Sequence, residues 1–242
     1  MIRLKIAEES FFNNGALLLP ALKDAAGAPV EDGIRRWLEQ PYDLTFVARK
    51  KGPGIDAKSL NRELRGKAAD ALAGIHGETH VEYGTFFHNG VNGFDFSLYD
   101  ETYALVQLRN ALIGAPGELN GEEKLRGLYQ KAGEDPAAWQ WRIQRIGGVP
   151  GEPVHCDKTR LTVVGELQFG NWALVKHDLL RLLNASDTVA IDYYIYITAC
   201  GSLLAMLSDG VVSYQSTVEA IRENRRLLKI PMWIIGLDCD MG

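Results

Sequence analysis

The distribution of apolar and polar residues along the chain predicts a mixture of strands and helices. Runs rich in β-branched and aromatic residues predict strands, and apolar residues spaced three and four apart predict amphipathic helices. This mixture predicts a fold of the α/β class with α+β character. The predicted strands cover residues 2–7, 43–49, 161–169, 189–198 and 232–237. The predicted helices cover residues 30–40, 56–74, 102–113, 121–131, 136–146, 172–183 and 216–228.

Segments rich in Gly, Pro and Asn separate these elements. They predict a loop at residues 50–54, hairpins and loops at 77–100, and a linker at 147–153. A chain of 242 residues is long enough for one sizeable domain. We therefore predict a single domain over residues 1–242, with an elaborated N-terminal half at 1–150 and a catalytic core at 151–242.

Composition narrows the class of protein. Apolar residues make up 46% and charged residues 24% of the chain, which is ordinary for a globular protein. The net charge of −5 excludes binding of nucleic acid through bulk charge, so a DNA enzyme would have to gather its basic residues on one surface. Three widely spaced cysteines fit neither a zinc site nor a disulfide framework. With no signal-peptide pattern at the N-terminus, we expect a cytoplasmic protein.

The longest apolar stretch, residues 188–212, predicts no membrane span. Asp192, Gly201 and Asp209 interrupt it, and its Tyr-Tyr-Ile-Tyr-Ile-Thr run is typical of a strand. We predict a buried strand followed by a short helix.

The strand predicted at residues 161–169 carries two polar side chains on one face. Successive side chains of a strand point to opposite faces, so Glu166 and Gln168 share a face. Asp157 precedes a polar Lys-Thr-Arg turn, and a tight reversal there would fold Asp157 back beside this strand. Two carboxylates at one place repel each other unless a cation lies between them. Oxygen ligands and an amide favour Mg²⁺ over zinc. An ordinary wet strand face after a turn would present the same residues.

The surrounding segment reads H-C-D-K-T-R-L-T-V-V-G-E-L-Q-F-G-N-W-A-L-V-K-H-D-L-L. It resembles the active-site segment of the BglII and BstYI type II restriction endonucleases, a branch of the PD-(D/E)xK superfamily. That branch has an Asp, eight intervening residues, Glu-x-Gln-Phe, and a helix with an aromatic-Asp-Leu pattern. The later V-V-S-Y-Q-S and I-P-M-W-I-I-G-L stretches resemble its closing segment, so the resemblance covers residues 154–238.

This resemblance implies a central mixed β-sheet flanked by helices and Mg²⁺-dependent hydrolysis of double-stranded DNA. By resemblance, Asp157, Glu166 and Gln168 are catalytic, and Mg²⁺ is bound by Asp157, Glu166 and the backbone carbonyl of Leu167. Most of the superfamily has Lys where this chain has Gln168, and the amide can only position and polarise the attacking water. Cleavage would leave 5′-phosphate and 3′-hydroxyl ends.

The resemblance also implies how DNA is recognised. A homodimer with one active site per strand would cut a short palindrome, with a hexamer containing GATC as the implied site. Residues at the positions of Asn171, Ser213 and Tyr214 reach the major groove in the resembling enzymes. Asn171 also fits the N-cap of the following helix. A restriction enzyme further implies a cognate DNA methyltransferase in the host.

Two other classes of function remain open. One is another nuclease of the same superfamily that acts in DNA repair or on branched DNA. The other is a non-catalytic DNA-binding protein, which the complete set of Asp157, Glu166 and Gln168 disfavours. His177 is a weaker candidate for a general base, and the acidic tail at residues 238–240 is predicted to be too mobile for a preorganised site.

Overall fold

A mixed sheet runs through the centre of the molecule. The computed structural model describes residues 1–49, 52–82, 85–88, 93–114, 120–132 and 135–240. Within them, eight strands form the sheet in the order β2-β1-β10-β9-β8-β7-β5-β6, and β3 and β4 form a separate hairpin. The strands are β1 (Ile2–Phe12), β2 (Pro41–Tyr42), β3 (Phe46–Arg49), β4 (Gly52–Ile55), β5 (His76–Glu82), β6 (Thr85–His88), β7 (Phe94–Leu98), β8 (Val163–Gln168), β9 (Tyr193–Ala199) and β10 (Met232–Asp240).

Helices cover both faces of the sheet. They are α1 (Gly15–Leu18), α2 (Val30–Leu38), α3 (Ala57–Ala71), α4 (Glu101–Ile113), α5 (Gly121–Ala132), α6 (Pro136–Ile146), α7 (Leu174–Ser186), α8 (Gly201–Met206) and α9 (Tyr214–Glu223), with a 3₁₀ turn at Leu19–Ala21. Asp56 caps α3 by accepting a hydrogen bond from the Ser59 amide, as the sequence predicts.

Strands β8, β9 and β10 are parallel, and their outer neighbours β7 and β1 run antiparallel to them. Parallel strands are usually buried on both faces, and each residue of β9 is buried. Ile195 and Ile197 pack in one core cluster with residues of α2 and α3. Tyr194 and Tyr196 pack in a second cluster with residues of α7 and α9. The two-residue period of the strand therefore builds two cores, one on each face.

The expected α/β architecture, a central mixed sheet flanked by helices, is confirmed. The apolar stretch at 188–212 forms β9 and the short helix α8, as predicted. The sheet takes strands from both halves of the chain, because β1 pairs with β10 and β7 pairs with β8. The position of β8 in the sheet therefore depends on both halves of the chain.

Two local predictions are wrong. Residues 52–54, predicted as part of a loop at 50–54, lie in β4, which pairs with β3, and residues 50 and 51 lie outside the described part. The acidic tail is not a loose end, because β10 continues through Asp240, which pairs with Arg3 of β1. In both places the pairing partner stabilises an extended conformation that local composition does not favour.

Within the described residues, no helix combines the length and apolar character needed to cross a membrane.

Candidate active site

The candidate site lies where the pairing of β7 with β8 ends. The last backbone pair in this antiparallel ladder joins Phe96 to Gly165. Continuing the register by one residue places Asp95 opposite Glu166, and opposite residues of an antiparallel pair lie on the same face. Beyond that point the Leu167 amide of β8 donates its hydrogen bond to a side chain of β7 and not to its backbone: the acceptor is Oδ2 of Asp95, at 2.7 Å. The ladder thus ends in a carboxylate beside Glu166.

Gly165 permits this close approach of the two strands. A Cβ atom at this position would lie 2.1 Å from Cζ of Phe96 and 2.7 Å from the carbonyl oxygen of Ile195. The ring of Phe96 therefore crosses β8 directly over the missing side chain. Asp95 immediately precedes Phe96 in β7, so the contact between Phe96 and Gly165 also positions Asp95.

Glu166 is a buried carboxyl group with other acids around it. Its side chain is only 4% exposed, and Oε1 accepts a 2.6 Å hydrogen bond from Nη1 of Arg181. Burial and the neighbouring carboxylates of Asp95 and Asp178 raise its pKa well above the ordinary value, against the opposing effect of the guanidinium. These surroundings therefore favour the protonated form of the Glu166 carboxyl.

Gln168 lies on the same face of β8 and is fixed by two hydrogen bonds. Its Nε2 donates to Oδ2 of Asp178 at 2.9 Å, and its Oε1 accepts from the Gly170 amide at 3.0 Å. Asp178 also accepts a 3.1 Å hydrogen bond from the Tyr196 hydroxyl. Burial raises the pKa of Asp178. The amide of Gln168 is thereby held in one orientation at the end of the strand.

A cavity of about 600 Å³ adjoins these side chains. Asp95, Glu166 and Gln168 line it together with Arg181 of α7 and Arg65 of α3. Arg65 forms ion pairs with Asp95 and with Glu78 of β5. Glu78 has a positive φ of 49°, an uncommon conformation for a residue other than glycine. Two carboxylates of the cavity wall thus each form an ion pair with an arginine: Asp95 with Arg65, and Glu166 with Arg181.

The structure does not place Asp157 beside Glu166, so the predicted tight reversal is wrong. The Asp157 side chain is 90% exposed and contacts His155, and it does not line the cavity. The next residues are tied to the start of β8: Thr159 bonds to Asp100, and the Thr162 amide bonds to Asp192. Four residue steps of extended chain, about 13 Å, then separate Thr162 from Glu166. Asp95 occupies the position beside Glu166.

The three predicted DNA contacts have different surroundings. Asn171 is exposed, and its Oδ1 accepts a 3.0 Å hydrogen bond from the Ala173 amide just before α7. Ser213 is the N-cap of α9 and forms a capping box with Ser216. Tyr214 is buried, and its hydroxyl bonds to Ser10 at 2.5 Å. Ser213 and Tyr214 thus stabilise α9, and Asn171 is the most exposed of the three.

Sequence reasoning missed Asp95, Asp178 and Arg181 as members of this site. Asp178 and Arg181 lie in the helix that the sequence predicts at residues 172–183, directly after β8. His177, three residues from Leu174 on that helix, lines the cavity, and its Nδ1 lies 3.2 Å from Nη2 of Arg181. The i, i+3 spacing from Asp178 to Arg181 was the available signal, because both side chains then lie on the face turned toward β8.

The donor set suits a hard divalent cation. Asp95 and Glu166 supply two carboxylates on one face of the sheet. The N–H and C=O of one strand residue face the same edge, so the carbonyl of Leu167 faces Asp95 as its amide does. The described residues contain no cluster of three or more His, Cys, Asp or Glu that could hold a metal. Mg²⁺ needs only one or two carboxylates because it retains several water ligands, so these residues fit it.

A paired carboxylate site at the end of an antiparallel ladder defines a candidate metal-dependent active site. The family model described as restriction endonuclease BglII/BglIII matches residues 123–237. This match confirms the resemblance to BglII-type restriction endonucleases over the segment that contains Glu166 and Gln168. No curated protein matches the chain. A solved structure, "Crystal structure of restriction endonuclease BGLII complexed with DNA 16-mer", is similar over 96% of this chain and 78% of that chain, with 11% identity and a TM-score of 0.47.

Proposed function

We propose that the protein is a type II restriction endonuclease that hydrolyses double-stranded DNA with Mg²⁺. The observation that carries this proposal is the pairing of Asp95 with Glu166 beside a cavity, with Gln168 two residues along the same strand face. The restriction endonuclease family match over residues 123–237 includes two of these three residues and supports the same activity. Asp95 precedes the matched segment, so its assignment depends on geometry alone.

The metal would be held by Asp95, Glu166 and the carbonyl of Leu167, with Asp95 in the position first expected for Asp157. When bound, Mg²⁺ polarises the phosphoryl group and lowers the pKa of a water molecule. Gln168, oriented by Asp178 and Gly170, positions the attacking water through its amide. The water oxygen forms a bond to phosphorus and releases a proton to solvent as the bond from phosphorus to the 3′ oxygen breaks. The 3′ oxygen takes up a proton, which leaves a 3′-hydroxyl and a 5′-phosphate.

Recognition of DNA requires contacts to base edges in addition to phosphates. Asn171 is exposed immediately after β8, and an Asn side chain can bind adenine with two hydrogen bonds in the major groove. A two-fold homodimer would place one active site on each strand of a palindrome. A methyltransferase of matching specificity would protect the DNA of the host.

The first test is digestion of unmethylated phage-sized DNA by the purified protein, with Mg²⁺ and with EDTA, followed by sequencing of the ends. We expect discrete fragments only with Mg²⁺, each ending at one palindrome with a 5′-phosphate. A smear of fragments would support a nuclease of another specificity and contradict the restriction assignment. Absence of cleavage on several unmethylated DNAs with Mg²⁺ and with Mn²⁺ would favour a non-catalytic DNA-binding protein.

A further inference from the structure

The guanidinium of Arg181 lies at the centre of the candidate site. Its Nη1 donates to Oε1 of Glu166 at 2.6 Å and to the carbonyl oxygen of Gly93 at 2.7 Å. Its Nη2 lies 3.3 Å from Oδ1 of Asp178. Arg181 also lines a second cavity of about 420 Å³, whose wall shares Gly93 and His177 with the first. The guanidinium of Arg181 therefore borders both cavities.

One donor of this guanidinium, its Nε–H, is buried and has no acceptor among the described residues. A guanidinium carries five N–H donors in a planar fork that matches the oxygen atoms of a phosphate. One of the acceptors of Arg181, Oε1 of Glu166, is also an atom that a divalent cation would bind. A cation there would compete for that oxygen and repel the guanidinium, so the hydrogen bond from Arg181 to Glu166 would be lost.

The proposed reaction lacks a positive side chain on β8. The transition state of phosphodiester hydrolysis carries more negative charge on the phosphoryl oxygens than the substrate does, and fixed positive groups stabilise it. Gln168 is neutral and cannot supply this charge. Arg65, the other arginine that lines the first cavity, forms two ion pairs, as Arg181 does with Glu166 and Asp178. Arg181 differs from Arg65 because it borders both cavities and, among the described residues, has a buried Nε without a hydrogen-bond partner.

We propose that Arg181 is a catalytic residue that changes acceptor during the reaction cycle. In the metal-free protein it donates a hydrogen bond to Glu166. When a divalent cation is bound by Asp95 and Glu166, the guanidinium of Arg181 contacts the scissile phosphate and stabilises the transition state. This inference rests on the proposed nuclease function and assigns a role to a residue outside the Asp95, Glu166 and Gln168 set.

The two roles predict effects of opposite sign on metal binding and on cleavage. In the Arg181→Gln variant, Ca²⁺ alone should bind the DNA-free protein several-fold more tightly, because a competing positive charge is removed. Single-turnover cleavage with Mg²⁺ should slow by about 100-fold or more, the scale for loss of one preorganised electrostatic group. Calorimetric titration with Ca²⁺ at pH 8.5 and a quenched cleavage time course measure the two quantities.

The controls separate catalysis from folding. Arg225→Gln removes an exposed arginine that lines neither cavity, and it should change neither quantity. Thermal unfolding establishes that each variant is folded. Should Arg181→Gln fail to fold, Arg181→Lys retains the charge without the planar fork, and it should keep wild-type Ca²⁺ binding while cleaving more slowly.

The possible results are distinct. If the wild-type protein cleaves DNA and Arg181→Gln cleaves it at the same rate, the role of Arg181 is overturned and the nuclease function stands. Parallel weakening of Ca²⁺ binding and of cleavage would indicate a purely structural role and would also overturn it. Failure of the wild-type protein itself to cut any DNA would overturn the proposed function, and the role of Arg181 with it.

Discussion

The Leu167 amide donates a 2.7 Å hydrogen bond to Oδ2 of Asp95, across two strands that are 72 positions apart in the chain. This bond continues the antiparallel ladder with a side chain at the point where the backbone of β7 no longer pairs with β8. It places a carboxylate beside Glu166 and turns the carbonyl of Leu167 toward the same cavity. The arrangement of the proposed metal ligands is therefore a consequence of how this strand pair ends.

Asp95, rather than Asp157, should be essential for cleavage. We expect Asp95→Asn to reduce single-turnover cleavage by more than about 100-fold, because it removes a charged ligand from the centre of the site. Asp157→Asn changes a side chain that is 90% exposed, and substitutions at exposed positions outside a site usually have small effects. The cleavage rate of this variant should therefore stay within about two-fold of the wild-type rate. Both variants should still bind DNA when Ca²⁺ replaces Mg²⁺. Loss of cleavage in Asp157→Asn with full activity in Asp95→Asn would reverse the assignment.

The contrast between Glu166 and Asp95 shows what the sequence could reveal. The alternation of side chains along a strand is local, so the shared face of Glu166 and Gln168 was predictable. The partner of Glu166 was not, because α4, α5 and α6 lie between β7 and β8 in the chain. Pairing across such a distance depends on tertiary contacts, and one carboxylate in a Gly- and aromatic-rich segment has no distinguishing local signal. Asp157 is nearer in sequence and fitted the expected spacing, but the residues that follow it are fixed by hydrogen bonds from Thr159 to Asp100 and from the Thr162 amide to Asp192.

Substitution of Gly165 should disrupt both stability and activity. A Cβ atom in Gly165→Ala would overlap Phe96, which is buried and packs edge-on against Trp37 at 5.3 Å. Overpacking of a core typically costs about 1–3 kcal/mol. The displaced Phe96 adjoins Asp95, so we expect the cleavage rate of the folded variant to fall as well. Urea denaturation and the cleavage assay measure the two effects.

Gly66 provides the matched control for this prediction. A Cβ atom at Gly66, in the middle of α3, would meet nothing within 4 Å. Gly66→Ala should therefore stabilise the protein by about 0.5–1 kcal/mol through helix propensity and leave cleavage unchanged. Equal stability changes in the two variants would show that the contact between Gly165 and Phe96 does not determine the strand pairing.

The raised pKa of Glu166 should make the metal-free protein less stable as the pH rises. Below the ordinary pKa of about 4.5, the carboxyl is protonated in both states and has no effect. Above it, the unfolded chain releases the proton while the folded protein retains it, so the folded state binds more protons and loses stability. This loss continues until the pH reaches the raised pKa, at up to about 1.4 kcal/mol per pH unit.

Glu166→Gln removes this titration. In EDTA, the free energy of unfolding of the variant should exceed that of wild type at pH 8, and the difference should be smaller at pH 4.5. Glu219→Gln, at an exposed position of α9, should show no such pH-dependent difference. A stability difference for Glu166→Gln that is the same at both pH values would contradict the raised pKa. The same variant should lose cleavage, since a neutral amide is a poor metal ligand.

Asn171 should affect which sequence is cut more than how fast the phosphodiester is hydrolysed. Its side chain is exposed just beyond β8, and the single bond from the Ala173 amide leaves its NH₂ group available to a base. Loss of one bidentate base contact typically costs about 1–3 kcal/mol of discrimination. We therefore expect Asn171→Ala to reduce the ratio of cognate to singly mismatched cleavage by about 5- to 150-fold. Ser213→Ala, which removes a helix cap, should lower stability by about 1 kcal/mol with the ratio unchanged. If Asn171 acts only in the turn before α7, its variant will lose stability like Ser213→Ala and keep the wild-type preference for its site.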